Sequence, residues 1–99
     1  MIFLYTHMQV KPDQERAFLE VSNSILQKVR KEEGNIMCDF LKSTEQEYTY
    51  KVVGIWKDAE AYKAHFPREE LQEDHDKVLT LLSSPMKAEV FSGDSVELE

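Results

Sequence analysis

The chain has 99 residues, of which 41% are hydrophobic and 31% are charged, as in a single globular domain spanning residues 1–99. Nineteen acidic residues outweigh twelve basic ones and give a formal net charge of -7. Nucleic acids and anionic membrane surfaces both bind basic patches, so this charge argues against either as a partner.

Targeting and disulfide signals are also missing from the sequence. No apolar run approaches the ~20 residues that span a membrane. The segment Met1 to Met8 is apolar, but it lacks the positive start and small-residue cleavage site of a signal peptide. The single cysteine, Cys38, cannot form an internal disulfide and is predicted to be a small buried hydrophobe. We therefore expect a cytoplasmic protein.

The first third of the chain predicts a strand and then a long helix. The apolar segment Ile2 to Val10 favours a strand, which Pro12 ends. Asp13 can cap the first amides of a helix predicted over Asp13 to Glu33, and Gly34 suits its left-handed stop. The apolar residues of this helix recur at helical spacing on one stripe: Phe18, Val21, Ile25 and Val29.

The middle of the chain predicts two strands joined by a short polar loop. The strands cover Ile36 to Lys42 and Tyr48 to Trp56, and the loop covers residues 43–47. A short helix follows, capped by Asp58 and running to about Phe66.

The last third predicts a second helix and a final strand. Pro67 can start the helix, which ends at Ser83-Ser84-Pro85 and carries an apolar stripe that includes His75. The final strand covers Met86 to Phe91, and a short extended tail follows it.

The order of these elements predicts an α+β fold, a ferredoxin-like βαββαβ unit with a four-stranded antiparallel sheet. The helices can cover only one face of that sheet. Both faces are apolar, however, with Phe3 and Tyr5 on one side of the first strand and Leu4 and Met8 on the other. An uncovered apolar face of this size predicts a homodimer that packs sheet against sheet.

Several short segments resemble the antibiotic biosynthesis monooxygenase superfamily, the dimeric α/β barrel fold. They are Val10-Lys11-Pro12 after the first strand, the run Glu15 to Leu19, Glu33-Gly34-Asn35, the run Ile55 to Ala61, and Ala64-His65. The resemblance covers nearly the whole chain. It implies a homodimer with strand exchange at the C-terminal edge, and a ligand cavity between sheet and helices in each subunit. Members of the superfamily include oxygenases that use no metal or flavin, so the resemblance implies that no cofactor is needed.

The histidines are the candidate acid–base groups. We predict His65 and His75 as catalytic residues that deprotonate a small quinol or other electron-rich aromatic substrate, so that the substrate anion reduces O2. Tyr5, His7, Trp56, Tyr62 and Phe66 are predicted to line an aromatic pocket. Each histidine could instead be a hydrogen-bonded core or rim residue, and Trp56 and Phe66 could be ordinary core. The acidic run around His75 predicts a solvated helix face and no metal site, because consecutive helical residues diverge.

The heme-degrading branch of the superfamily gives the alternative. The spacing of its strand-one Asn, its Trp and its heme-ligating His resembles that of His7, His65 and His75, of which only His75 keeps the residue type. Because the Asn and the Trp on which heme degradation depends are both replaced, this alternative is a heme- or small-ligand-binding protein without turnover. A third possibility is a structural dimer whose cavity is filled by its own side chains.

Overall fold

The computed structural model describes residues 1–65 and 69–98. Within these residues the structure has four strands and three α-helices, with a short 3-10 helix at Pro12–Gln14. In chain order the elements are β1 Ile2–Gln9, α1 Glu15–Val29, β2 Asn35–Lys42, β3 Thr49–Trp56, α2 Ala59–His65, α3 Glu69–Leu81 and β4 Lys87–Ser92.

The strands form one antiparallel sheet in the order β2-β3-β1-β4. The predicted α+β class and ferredoxin-like topology are therefore confirmed. Residues directly opposite each other on neighbouring strands share a face of the sheet. The inner face, which the helices cover, carries Leu4, Thr6, Met8, Cys38, Phe40, Tyr50, Val52 and Trp56.

The helices begin and end where local chemistry allows. Asp58 Oδ1 accepts the backbone N–H of Ala61 at 2.9 Å, so its predicted cap is confirmed. The predicted cap by Asp13 is wrong, because that residue lies inside the 3-10 helix and no side chain caps α1. α1 ends at Val29, and a turn follows in which Gly34 has the predicted positive φ, of 85°.

No helix of the described residues packs against the outer face of the sheet. It carries mainly apolar side chains, listed by strand as Phe3 and Tyr5 on β1, Met37 and Leu41 on β2, Val53 and Ile55 on β3, and Phe91 on β4. Leu41 and Phe91 are each about half exposed. The structure thus contains the uncovered apolar face that the sequence predicts.

A hydrogen-bond network ties the start of α1 to the sheet. The hydroxyl of Tyr50 donates to Glu15 Oε2 at 2.7 Å, and Lys42 Nζ approaches the same oxygen at 3.3 Å. The Tyr50 hydrogen bond, aided by Lys42, holds the pKa of Glu15 below its ordinary 4.5. Burial and the Glu15 contact raise the pKa of Tyr50 to about 12.

This network predicts how stability depends on pH. A carboxyl with a lowered pKa in the folded state stabilises the fold above its unfolded pKa, and this contribution is lost as pH falls through the folded value. Tyr50→Phe should therefore lower the free energy of unfolding at pH 7 by more than it does at pH 3. Urea titrations at both pH values measure the difference. An equal loss at both values would contradict the assigned role of Glu15.

Candidate active site

A cavity of about 280 Å³ lies between the inner face of the sheet and helices α1 and α3. Most of its wall is apolar, including Leu4, Met8, Ile25, Leu26, Val52 and Trp56. Six lining residues are polar or titratable: Thr6, Ser22, Cys38, Tyr62, His65 and His75. Apolar walls with a few polar groups are typical of a small-molecule pocket.

The Trp56 indole forms one wall of the cavity and is only 1% exposed. Its ring centroid lies 5.4 Å from that of Tyr62 and 5.1 Å from that of His65. A Cβ added to Gly54 would lie 2.5 Å from Trp56 Cζ3, so the missing side chain at this position makes room for the indole. Trp56 Nε1 is buried without an acceptor in the described part of the chain, so packing alone holds the ring there.

His65 is held by a buried carboxylate. Its Nδ1 lies 2.7 Å from Glu32 Oε2, and the two side chains are only 16% and 6% exposed. An ionised carboxylate can only accept a hydrogen bond, so Nδ1–H donates to Glu32. In the neutral imidazole this leaves the lone pair on Nε2, the atom that would act as a base.

The turn after α1 sets the position of Glu32. The backbone N–H of Glu32 donates to Val29 O at 3.0 Å, and the N–H of Lys57 donates to Gly34 O at 2.8 Å. A Cβ at Gly34 would come within 2.5 Å of the Ala61 Cβ, so α2 approaches this turn closely. The contact between turn and helix brings Glu32 and His65 together although 33 positions separate them.

His75 lines the same cavity from α3, but its side chain is 52% exposed and lies at the rim. Its Nδ1 is 4.0 Å from Asp76 Oδ1, which is too long for a hydrogen bond. The neighbouring Asp74 accepts from Lys28 Nζ at 2.7 Å and so joins α3 to α1. The structure therefore brings both predicted histidines to one cavity. Among the described residues, a carboxylate lies within hydrogen-bond distance of His65 but not of His75.

Burial changes the chemistry of two further lining residues. It raises the pKa of the Cys38 thiol to about 11, which keeps the thiol protonated near neutral pH and poorly nucleophilic. Burial also raises the pKa of Tyr62, so its phenol stays protonated and can donate a hydrogen bond. Cys38 thus behaves as the small buried hydrophobe that the sequence predicts.

Two residues predicted for the pocket lie elsewhere. Tyr5 and His7 are on the outer face, where Tyr5 packs against Phe91 with ring centroids 5.8 Å apart and His7 Nε2 is 3.5 Å from Glu89 Oε1. Neither residue lines the cavity. The physical reason is strand alternation, because Leu4, Thr6 and Met8 occupy the inward positions of β1. Phe66 falls outside the described residues.

Sequence reasoning missed Glu32 and Gly54. Glu32 lies on no apolar stripe, and its contact with His65 depends on the packing of the turn against α2. Gly54 could have been identified from the sequence, since an isolated glycine inside a strand pattern often marks a position where another group packs closely against the backbone.

Comparisons with known proteins agree with this architecture. The family model for antibiotic biosynthesis monooxygenases (ABM) matches residues 1–77. The chain belongs to the ABM family. It is 35% identical over 86 residues to a Bacillus subtilis protein named "Putative monooxygenase YcnE", covering 87% of this chain and 90% of that protein.

Solved structures share the fold at low sequence identity. A Deinococcus radiodurans protein described as a "putative antibiotic biosynthesis monooxygenase" superposes with a TM-score of 0.91 at 14% identity, covering 100% of this chain and 99% of the other. SnoaB, described as a cofactor-independent oxygenase from Streptomyces nogalater, superposes with a TM-score of 0.86 at 12% identity, covering 99% and 97%. At such identities the likeness shows the fold alone.

The volume of the cavity bears on the two other predicted functions, a structural dimer with a filled cavity and a heme-binding protein. A cavity of about 280 Å³ runs counter to a pocket filled by its own side chains. This volume lies just below the usual range of ligand pockets, roughly 300–1,000 Å³, which favours a ligand of one or two rings over a tetrapyrrole. Heme binding by His75 stays a prediction.

Two further features concern residues 1–65 and 69–98, the part of the chain that the structure describes. No cluster of three or more metal-ligating side chains occurs among those residues. No helix among them has both the length and the apolar character to cross a membrane.

Proposed function

We propose that this protein is a cofactor-independent monooxygenase that oxidises a small quinol or other electron-rich aromatic compound. The observation that carries the proposal is the apolar cavity whose lining includes an imidazole held by a buried carboxylate. Membership of the ABM family supports monooxygenase chemistry. The shared fold of SnoaB, described as a cofactor-independent oxygenase, is consistent with substrate-driven reduction of O2.

The proposed reaction begins with His65 as general base. Its Nε2 removes a proton from a quinol hydroxyl, and the resulting quinolate donates electrons to O2. One oxygen atom then bonds to a ring carbon and the O–O bond breaks. The overall reaction converts quinol and O2 into a hydroxyquinone and water, so the substrate supplies all four electrons.

The cavity walls support this chemistry in two ways. The Trp56 and Tyr62 rings pack edge to face and form an aromatic corner of the cavity, against which a substrate ring can pack. The surrounding apolar side chains exclude water and strengthen electrostatic interactions inside the cavity. His75 at the rim is proposed to contact the substrate rather than to remove its proton.

Menadiol, a two-ring quinol, provides the test of this proposal. Wild-type protein should consume menadiol faster than buffer in air and should not consume it without O2. Consumption at equal rates with and without O2, or no consumption above the aerobic buffer rate, would contradict the proposal.

We also propose that the outer face pairs with a second copy of the chain. Val53 lies on this face, directly opposite Tyr5 in the register of β1 and β3. Val53→Glu would place a charge in the apolar contact and should convert a dimer to monomer in analytical ultracentrifugation. Arg16→Glu, at a side chain that is 95% exposed on α1, is the control and should leave the dimer intact. A wild-type monomer, or a Val53→Glu dimer, would refute this pairing.

A further inference from the structure

We propose that Glu32 and His65 form a proton-abstracting pair that works without O2. The protein therefore catalyses the exchange of the acidic C–H hydrogen of a small aryl ketone, held in the cavity, with solvent protons. The inference rests on the proposed site and on His65 as its base, but not on the reaction with O2. It assigns Glu32 as the residue that positions the base.

The burial of Glu32 is the first reason. Burying a carboxylate is unfavourable unless hydrogen bonds and opposite charge compensate for the lost hydration. Glu32 is nevertheless 6% exposed, whereas the adjacent Glu33 is 96% exposed. The contact with His65 is one interaction that compensates for the burial of Glu32.

The geometry of that contact is the second reason. The 2.7 Å separation between Nδ1 and Glu32 Oε2 is that of a charge-assisted hydrogen bond. The bond fixes the tautomer and the ring orientation, and it stabilises the imidazolium that forms when Nε2 accepts a proton. These are the requirements for a general base, and none of them involves oxygen.

The substrate class follows from the lining of the cavity. A hydrogen on a carbon between an aromatic ring and a carbonyl is acidic enough for an imidazole base, and the molecule remains neutral and largely apolar. In the step, the C–H bond breaks, the proton moves to His65 Nε2, and the electron pair moves onto the carbonyl oxygen as an enolate. Tyr62, whose burial keeps its phenol protonated, lines the cavity and can donate a hydrogen bond to that oxygen. Return of a solvent-derived proton to carbon completes the exchange, so no oxidant or reductant is needed.

2-Tetralone, a two-ring ketone, is the probe. Proton NMR in D2O under argon follows the loss of the signal from the C1 hydrogens between ring and carbonyl. Wild-type protein should accelerate the exchange about 100-fold or more over an equal concentration of imidazole, the lower end of general-base effects. Exchange no faster than with imidazole would overturn the proposal.

Single substitutions test whether Glu32 positions the imidazole of His65 or only supports the fold. Glu32→Gln keeps the size of the side chain but removes its charge, so the exchange rate at saturating 2-tetralone should fall at least tenfold. The dissociation constant, measured by fluorescence of the sole tryptophan, should stay within twofold. Glu33→Gln is the matched control and should match wild type. An unchanged exchange rate in Glu32→Gln would refute its role, and His65→Gln, which should lose exchange, tests the base independently.

The outcomes distinguish this inference from the proposed function. Exchange under argon without menadiol oxidation in air would support the Glu32–His65 pair and contradict the monooxygenase. Menadiol oxidation in air without 2-tetralone exchange under argon would support the monooxygenase and contradict proton exchange by the Glu32–His65 pair.

Discussion

Replacing His65 with Gln is expected to lower the rate of aerobic menadiol oxidation by about 100-fold or more, the usual contribution of a positioned general base. Gln occupies similar space but cannot accept a proton. His65 is only 16% exposed, so circular dichroism and the thermal midpoint should be compared with wild type to show that the variant is folded.

His75→Gln provides the comparison for that experiment. His75 lines the same cavity, but it is 52% exposed, and no carboxylate of the residues that the structure describes lies within hydrogen-bond distance of it. Its replacement should change the rate by less than about fivefold, mainly through KM, since an exposed side chain at the rim contributes little to the chemical step. A large loss in His75→Gln together with an active His65→Gln would reverse the assignment of the base.

Adding one methyl group at Gly54 is expected to destabilise the protein by about 1–3 kcal/mol, the usual cost of overpacking a core. The new Cβ would lie 2.5 Å from Cζ3 and 2.9 Å from Cη2 of Trp56. Replacing glycine restricts the unfolded chain and gains only ≈ 0.4–1 kcal/mol, so the clash should dominate. Moving the indole should also alter the cavity wall and weaken ligand binding.

Urea denaturation and tryptophan fluorescence measure both effects in Gly54→Ala. Gly93→Ala is the matched control, because its Cβ would meet only Phe3 Cε2 at an ordinary 3.7 Å. We expect the control to stay within about 0.5 kcal/mol of wild type, as most surface substitutions do. Wild-type stability and unchanged ligand binding in Gly54→Ala would contradict the packing role of Gly54.

The fold could be predicted because its signals are local. The apolar stripe of α1, the cap at Asp58 and the positive φ of Gly34 each depend on a few neighbouring residues. The alternation in β1 likewise separates Leu4 from Tyr5. It does not show which face the helices cover, and for that reason Tyr5 was predicted for the pocket although it lies on the outer face.

The candidate site was only partly predictable because it depends on long-range contacts. Glu32 meets His65 only after the turn at Gly34 packs against α2, and no periodicity encodes that approach. The exposure of His75 depends on the rotation of α3 about its axis, which a helical stripe defines only coarsely. Sequence spacing therefore found both histidines of the cavity but could not rank them as bases.

Oxidation of menadiol under ¹⁸O2 tests the central claim most directly, with mass spectrometry of the quinone product and of the water. A monooxygenase in this cavity should yield a hydroxyquinone that carries one ¹⁸O atom, with the second ¹⁸O in water, and His65→Gln should lose this product. Formation of unlabelled menadione alone, at the same rate in wild type and His65→Gln, would contradict the claim.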